Sequence, residues 1–147
     1  MLHILLDSYP LGALSHPQPD LNIVRWAAAC QTAGHQIYVP EVIDYEVQRE
    51  LLRARKYSGV RNLDALKAIL HFLPISSPAM LLAADLWSQS RQSGLPTGDP
   101  KKLDIDVILA AQALTLGVAN SDLVIATSNV SHIARFVSAD LWSNITP

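Results

Sequence analysis

The chain's 147 residues are 50% hydrophobic and 16% charged, with a formal net charge of −2; this suits one domain spanning residues 1–147 with its own core, and excludes a disordered chain or a surface basic enough to coat nucleic acid uniformly. One cysteine, Cys30, and the lack of any zinc-type Cys/His spacing exclude a disulfide scaffold and a structural zinc fold. No apolar run reaches ~18 residues and no basic leader precedes Asp7, so the expected setting is cytoplasmic, without a membrane.

From the N-terminus, the apolar run His3–Leu6 stops at Asp7 and reads as a buried strand. Pro19 and Asp20 open a segment with Leu21, Val24, Ala28 and Cys30 at helical spacing, closed by Gly34. Gln36–Val39, rich in β-formers, is a second strand and completes a βαβ unit. Pro40 then starts a helix carrying Ile43, Val47, Leu51 and Ala54 toward Lys56, and a further helix is predicted from Asn62, as its cap, through Leu66, Ile69 and Leu70. Leu73–Ser76 is predicted as a strand, Ser77 and Pro78 as the start of a helix reaching Gly94, and Gly94–Lys102 as a loop. Leu103–Leu116 reads as an apolar helix closed by Gly117, and Leu123–Thr127 as the central strand. Strands alternating with helices, without repeat or linker, predict an α/β domain with a mostly parallel central sheet flanked by helices.

Charge is unevenly spread. Between positions 49 and 67, Arg49, Arg53, Arg55, Lys56, Arg61 and Lys67 stand against only Glu50 and Asp64, a local excess of four positive charges in an otherwise acidic chain. Such a stretch is either a solvated helix face or a track for the phosphates of a polyanion.

Open parallel sheets bind ligands at the carboxyl ends of their strands, which singles out Asp7 and Ser8 after the first strand and Thr127, Ser128 and Asn129 after the last. The plain alternative for Asp7 is a turn cap. Glu46 lies at the edge of a buried helical stripe, where its plain alternative is a surface pair with Arg49. Asp104 and Asp106 begin a helix apolar nearly all round, and the helix dipole accounts for one acid there. Carboxylates drawn from a strand end and two helices converge only where a cation offsets their repulsion, and a hard divalent ion, Mg2+ or Mn2+, is the simplest. The histidines His3, His16, His35, His71 and His132 are scattered, and no G-x-S-x-G, P-loop or G-x-G-x-x-G motif competes.

Four motifs stand in order: ILLDS carries Asp7, PEVIDYEVQREL carries Glu46, DVILAAQA carries Asp106, and IATSN carries Thr127 and Asn129. In these four places the sequence resembles the PIN-domain family, and within it the VapC-like toxin ribonucleases of type II toxin–antitoxin systems. Two positions depart: Tyr9 stands where the family commonly has Asn, and His132 where many members place an aspartate. The resemblance implies a Mg2+- or Mn2+-dependent endoribonuclease with Asp7, Glu46, Asp106 and Asn129 as catalytic positions and Ser8 and Thr127 in support. Asp7 and Asp106 would hold metal, with Asp104 supplying charge that His132 does not. RNA would lie along Arg49, Arg53, Arg55 and Lys56, and a homodimer and an antitoxin partner are expected. The altered fourth motif leaves an alternative, a catalytically weakened PIN-like module that binds RNA or protein. Tyr45, Trp87 and Trp142 are expected to pack mostly in the core.

Overall fold

The protein is described by a computed structural model covering residues 1–94 and 100–147. Five strands, β1 (His3–Leu6), β2 (Gln36–Pro40), β3 (His71–Leu73), β4 (Leu123–Ala126) and β5 (Ala139–Asp140), form one sheet in the order β3-β2-β1-β4-β5. Every pairing is parallel, with His3 opposite both Gln36 and Leu123, and Leu6 opposite Ala126. Parallel pairing requires crossovers, and helices supply them: α1 (Ser8–Ser15), α2 (Leu21–Thr32), α3 (Glu41–Arg53), α4 (Tyr57–Ile69), α5 (Ser77–Gln92), α6 (Pro100–Leu114) and α7 (Val130–Ile133). The architecture is the predicted α/β one.

The central strands are buried on both faces and so contain continuous apolar runs. Ile4, Leu5 and Leu6 of β1 and Ile125 of β4 are fully inaccessible, and they pack with Leu11, Ile23, Cys30, Ile43, Leu63 and Leu109 from the helices. Burial pushes the Cys30 thiol pKa up, as befits a core residue. A second apolar cluster, Ala79 and Ala83 of α5 with Leu103, Val107 and Ala111 of α6, joins those two helices. Gln112 ties the layers together: its Oε1 accepts from the Val42 N–H (3.3 Å) and its Nε2 donates to the Leu73 carbonyl (2.8 Å).

Several boundaries differ from the sequence reading, each for a local reason. Helix α1 was not expected, because Pro10 and Gly12 argue against one. Pro10 falls in the first turn, where no intrahelical N–H bond is needed, and Pro10, Leu11 and Ser15 are buried. Helix α4 begins at Tyr57, not at Asn62; Asn62 lies within it and donates from Nδ2 to the Ser15 carbonyl at the end of α1 (3.1 Å). The early start is permitted by Gly59, where an added Cβ would stand 2.8 Å from Leu51 Cδ2. Strand β3 lies two residues earlier than Leu73–Ser76, because Pro74 has no N–H to continue the ladder and Ser76 is already the cap of α5, accepting from the Ala79 N–H (3.1 Å). Of the expected loop Gly94–Lys102, residues 95–99 lie outside the described residues, and 100–102 belong to α6, which starts on a proline. Tyr45 and Trp87 are not core residues: they are 55% and 40% exposed and lie under the guanidinium groups of Arg49 and Arg91, whereas Trp142 packs on Trp26.

Candidate active site

The chain leaves β1 toward β2 and β3 on one side and returns to β4 and β5 on the other, so the strand order reverses between β1 and β4. In open α/β sheets, ligands bind beyond the carboxyl ends of the strands at such a switch point. Asp7 follows β1, its N–H donating to the Ala126 carbonyl at the end of β4 (2.9 Å), and Thr127 follows β4, its N–H donating to the Asp140 carbonyl of β5 (2.9 Å).

Asp7 is 3% exposed. Its Oδ1 accepts from the Ser8 N–H (2.7 Å), which caps α1, and its Oδ2 accepts from Thr127 Oγ1 (2.6 Å). The turn-cap role is therefore real, and it is also what aims the carboxylate. Ser8 supports Asp7 through its main-chain N–H. Thr127 Oγ1 in turn accepts from the Asn129 N–H (2.9 Å), and Asn129 Oδ1 is hydrogen-bonded to His132 Nδ1 (2.7 Å). The strand end thus orders a relay from Asp7 to Thr127, Asn129 and His132.

Glu46 and Asp106 approach from the helices. Glu46 does not pair with Arg49, whose guanidinium lies on Tyr45; its side chain is only 14% exposed, and its Oε2 is 3.6 Å from Lys102 Nζ. Asp106 Oδ1 lies 3.8 Å from the same ammonium, at side-chain exposure of 3%. Burial pushes the Asp106 carboxyl up to about 6; Lys102 opposes this, Asp7 and Glu46 add to it, and Arg135 opposes it. Asp7 and Glu46 thus lie near enough to Asp106 for their charges to act on its carboxyl.

Glu46 Oε1 and Asp106 Oδ1 are buried without a hydrogen-bond partner. Buried carboxylate oxygens are normally satisfied, and two such orphans, on side chains that both approach Lys102, match the donor chemistry of a hard divalent cation. No group of three His, Cys, Asp or Glu among the described residues stands close enough to hold an ion together in this conformation, in which Lys102 lies between two of the acids.

Asp104 is not part of this cluster. Two residues along a helix turn the side chain by about 200°, so Asp104 is exposed and lines a separate groove with Met80, Trp87 and Val107. Two residues not singled out in the sequence do belong. Lys102 stands four residues before Asp106 on one helix face, a spacing that could have signalled it. Arg135, whose Nε donates to the His132 carbonyl (3.2 Å) while Nη2 is buried and unpartnered, offered no local sequence signal.

The basic segment, apart from the half-buried Lys67, is exposed, and it is largely met by its own neighbours. Arg53 forms a two-nitrogen contact with Glu50 Oε2 (3.0 and 2.8 Å), and Lys67 bridges Asp44 and Asp64 (3.2 and 3.3 Å). Arg55 and Lys56 line a groove of about 360 Å³ with Ser15, His16 and Tyr57. A second groove, of about 450 Å³, is lined by apolar residues of α2 and α4, including Val24, Ala28, Leu66 and Ile69, and contains none of the acids.

No protein-family model and no curated protein matches the sequence. Solved structures do match the fold. A chain in the crystal structure of VapBC2 from Rickettsia felis bound to a DNA fragment from their promoter superposes with a TM-score of 0.75 at 16% identity, covering 96% of this chain and 99% of that one. One in VapBC-1 from nontypeable Haemophilus influenzae gives 0.70 at 15% identity, covering 98% and 100%. One in FitAcB from Neisseria gonorrhoeae gives 0.68 at 18%, covering 97% and 99%. At these identities the likeness is one of fold over nearly the whole chain.

Proposed function

From this VapC-like PIN fold we propose that the chain is a divalent-metal-dependent endoribonuclease of the toxin type. The observation that carries the reading is the pair of buried, unpartnered oxygens, Glu46 Oε1 and Asp106 Oδ1, beside Asp7 at the switch point of the sheet. Leaving such atoms orphaned costs about 1–3 kcal/mol each, a cost that a bound divalent cation would offset.

Asp7, Glu46 and Asp106 would hold the ion. When bound, Mg2+ or Mn2+ supplies a more acidic water and polarises a phosphate oxygen. Thr127 fixes the Asp7 carboxylate by its 2.6 Å hydrogen bond, and Asn129 is held in turn by its N–H bond to Thr127 and by His132. Arg135, with a buried unpartnered Nη2 and an influence on the Asp106 carboxyl, would bring a second positive charge to the site beside Lys102. Arg49, Arg53, Arg55 and Lys56 would meet RNA phosphates away from the acids. Occurrence of the similar chains in VapBC and FitAcB structures supports a protein partner, the antitoxin of such a pair. The exposed Met80, Leu81 and Trp87 of α5 support a homodimer, which sedimentation would report as a species of twice 16.0 kDa. Among the described residues, no helix is long and apolar enough to cross a membrane, and we place the protein in the cytoplasm.

The direct test is cleavage of total RNA by the purified protein with Mn2+ or Mg2+ and with EDTA. Cleavage is expected only with the ion. The second reading, a PIN-like module without chemistry, is favoured by one observation, the Lys102 ammonium lying between Glu46 and Asp106. Failure to bind Mn2+ would establish it over the first.

A further inference from the structure

Lysine in the first turn of a helix opposes the helix dipole, and a Lys placed N-terminal to its acidic partner is the weaker orientation of an i,i+4 pair. Lys102 does both: it lies in the first turn of α6, four residues before Asp106. Local helix energetics therefore do not account for it. Its surroundings across the fold do, since Nζ stands 3.6 Å from Glu46 Oε2 on α3 and 3.8 Å from Asp106 Oδ1. Neither distance is a hydrogen bond, and Glu46 Oε1 and Asp106 Oδ1 remain unpartnered beside it. The ammonium offsets the charge of the two acids without satisfying their oxygens.

We propose that Lys102 is a tethered counterion that competes with the divalent cation for Glu46 and Asp106. The inference rests on the metal reading above and adds an entry condition to it. A +1 ammonium and a +2 ion cannot share the space between two carboxylates, because each repels the other over a few ångströms in a poorly solvated site. Loading the ion requires Lys102 to swing out, and its side chain, 34% exposed, has solvent to move into, whereas Asp106 at 3% does not. In the ion-free protein the lysine relieves repulsion among Asp7, Glu46 and Asp106; once the ion enters, the freed ammonium stands at the rim of the site. The device keeps the acids assembled at low metal and raises the metal concentration at which the site fills.

The test is Mn2+ binding by isothermal titration calorimetry and by electron paramagnetic resonance of free Mn2+, on wild type, Lys102→Met and Lys102→Arg, with circular dichroism to verify folding. Lys102→Met is expected to bind Mn2+ about tenfold more tightly than wild type, and Lys102→Arg to stay within about twofold of wild type because it keeps the charge. In EDTA, Lys102→Met is expected to melt lower than wild type and to gain more from added Mn2+, a readout that needs no activity. Equal or weaker Mn2+ binding by Lys102→Met, with wild type binding normally, overturns the counterion role and leaves the metal reading standing. Absence of Mn2+ binding by both proteins overturns the two together. If Lys102→Met does not fold, Lys102→Gln, which keeps the length and a polar tip, carries the same comparison.

Discussion

Two charged regions share helix α3 and are treated by the fold in opposite ways. Glu46 faces inward, with Asp106 and Asp7 beside it, and oxygens of Glu46 and Asp106 are buried without hydrogen bonds. Arg53, two turns or roughly 10 Å further along the same helix, is exposed and doubly bonded to Glu50. Arg49 rests on Tyr45, and Lys67 is shared between Asp44 and Asp64. Burial without partners is expensive, whereas exposure with local partners is nearly neutral in energy; Asp44 Oδ1 is likewise buried without a hydrogen bond, but a direct ion pair with Lys67 at 3.2 Å compensates it, while the cation nearest Asp106 Oδ1 stands 3.8 Å away. The acidic centre is therefore the stronger functional evidence of the two, although the basic stretch is the more visible in the sequence.

The contrast breaks most decisively at the acids. Asp106→Asn and Asp7→Asn are each expected to lower Mn2+-dependent RNA cleavage by at least ~100-fold while the circular dichroism spectrum is retained. Cleavage at wild-type rate by either variant would remove that acid from the site.

A second effect follows from the raised carboxyl of Asp106, and it needs no metal. Its folded value of about 6 exceeds the ordinary 3.8, so between those values the folded chain holds more protons than the unfolded one. Stability in EDTA is then expected to fall as pH rises from about 4 to about 6, and to level off above that. The full difference at neutral pH is of order 2–3 kcal/mol. Asp106→Asn should flatten the slope and unfold at higher urea than wild type at pH 7, with little difference at pH 4. Urea titrations at four pH values measure both. A difference between Asp106→Asn and wild type that does not grow from pH 4 to pH 6 would show that Asp106 is not desolvated.

Smaller again is the effect of Thr127→Val, which keeps the volume and removes the hydroxyl between Asp7 and Asn129. Loss of a hydrogen bond to a buried charged acceptor is expected to cost about 1.5–3 kcal/mol. Cleavage should fall by less than in Asp106→Asn, because Asp7 keeps its bond from the Ser8 N–H. An unchanged urea midpoint would mean that the strand-end relay contributes nothing.

What was legible in the sequence was legible for physical reasons. Strands β1, β2 and β4 read as apolar runs because parallel strands are buried on both faces. Asp7 and Thr127 then stood out by ending such runs, and Asp106 by interrupting an apolar helix. Glu46 could be placed at the edge of its stripe, but its partner could not, since Lys102 lies 56 positions away in the chain. Helix α1 was hidden by Pro10 and Gly12, whose local preferences are overridden by the burial of Leu11 and the Asp7 cap. Asp104 misled because two acids in one short motif look like one cluster until helical rotation is applied to them. Strand β5, two residues long, has too little pattern to be read at all.

The smallest effect sharpens the comparison from the basic side. Arg53→Ala with Arg55→Ala is expected to change stability by no more than ~0.5 kcal/mol, because the Arg53–Glu50 pair is a solvated i,i+3 contact. Arg55 sits at a left-handed backbone position, φ 56°, at the turn out of α3, and is exposed, so its side chain is available to a polyanion. If this corner meets RNA, each phosphate contact removed should flatten the dependence of log affinity on log salt by ~0.7 for a single strand, with the cleavage rate at saturating RNA little changed. Fluorescence anisotropy with a labelled single-stranded RNA at several salt concentrations measures the slope. A slope identical to wild type would leave the segment as a solvated helix face, and would shift the phosphate path toward Arg135, whose buried Nη2 already lies within electrostatic reach of Asp106.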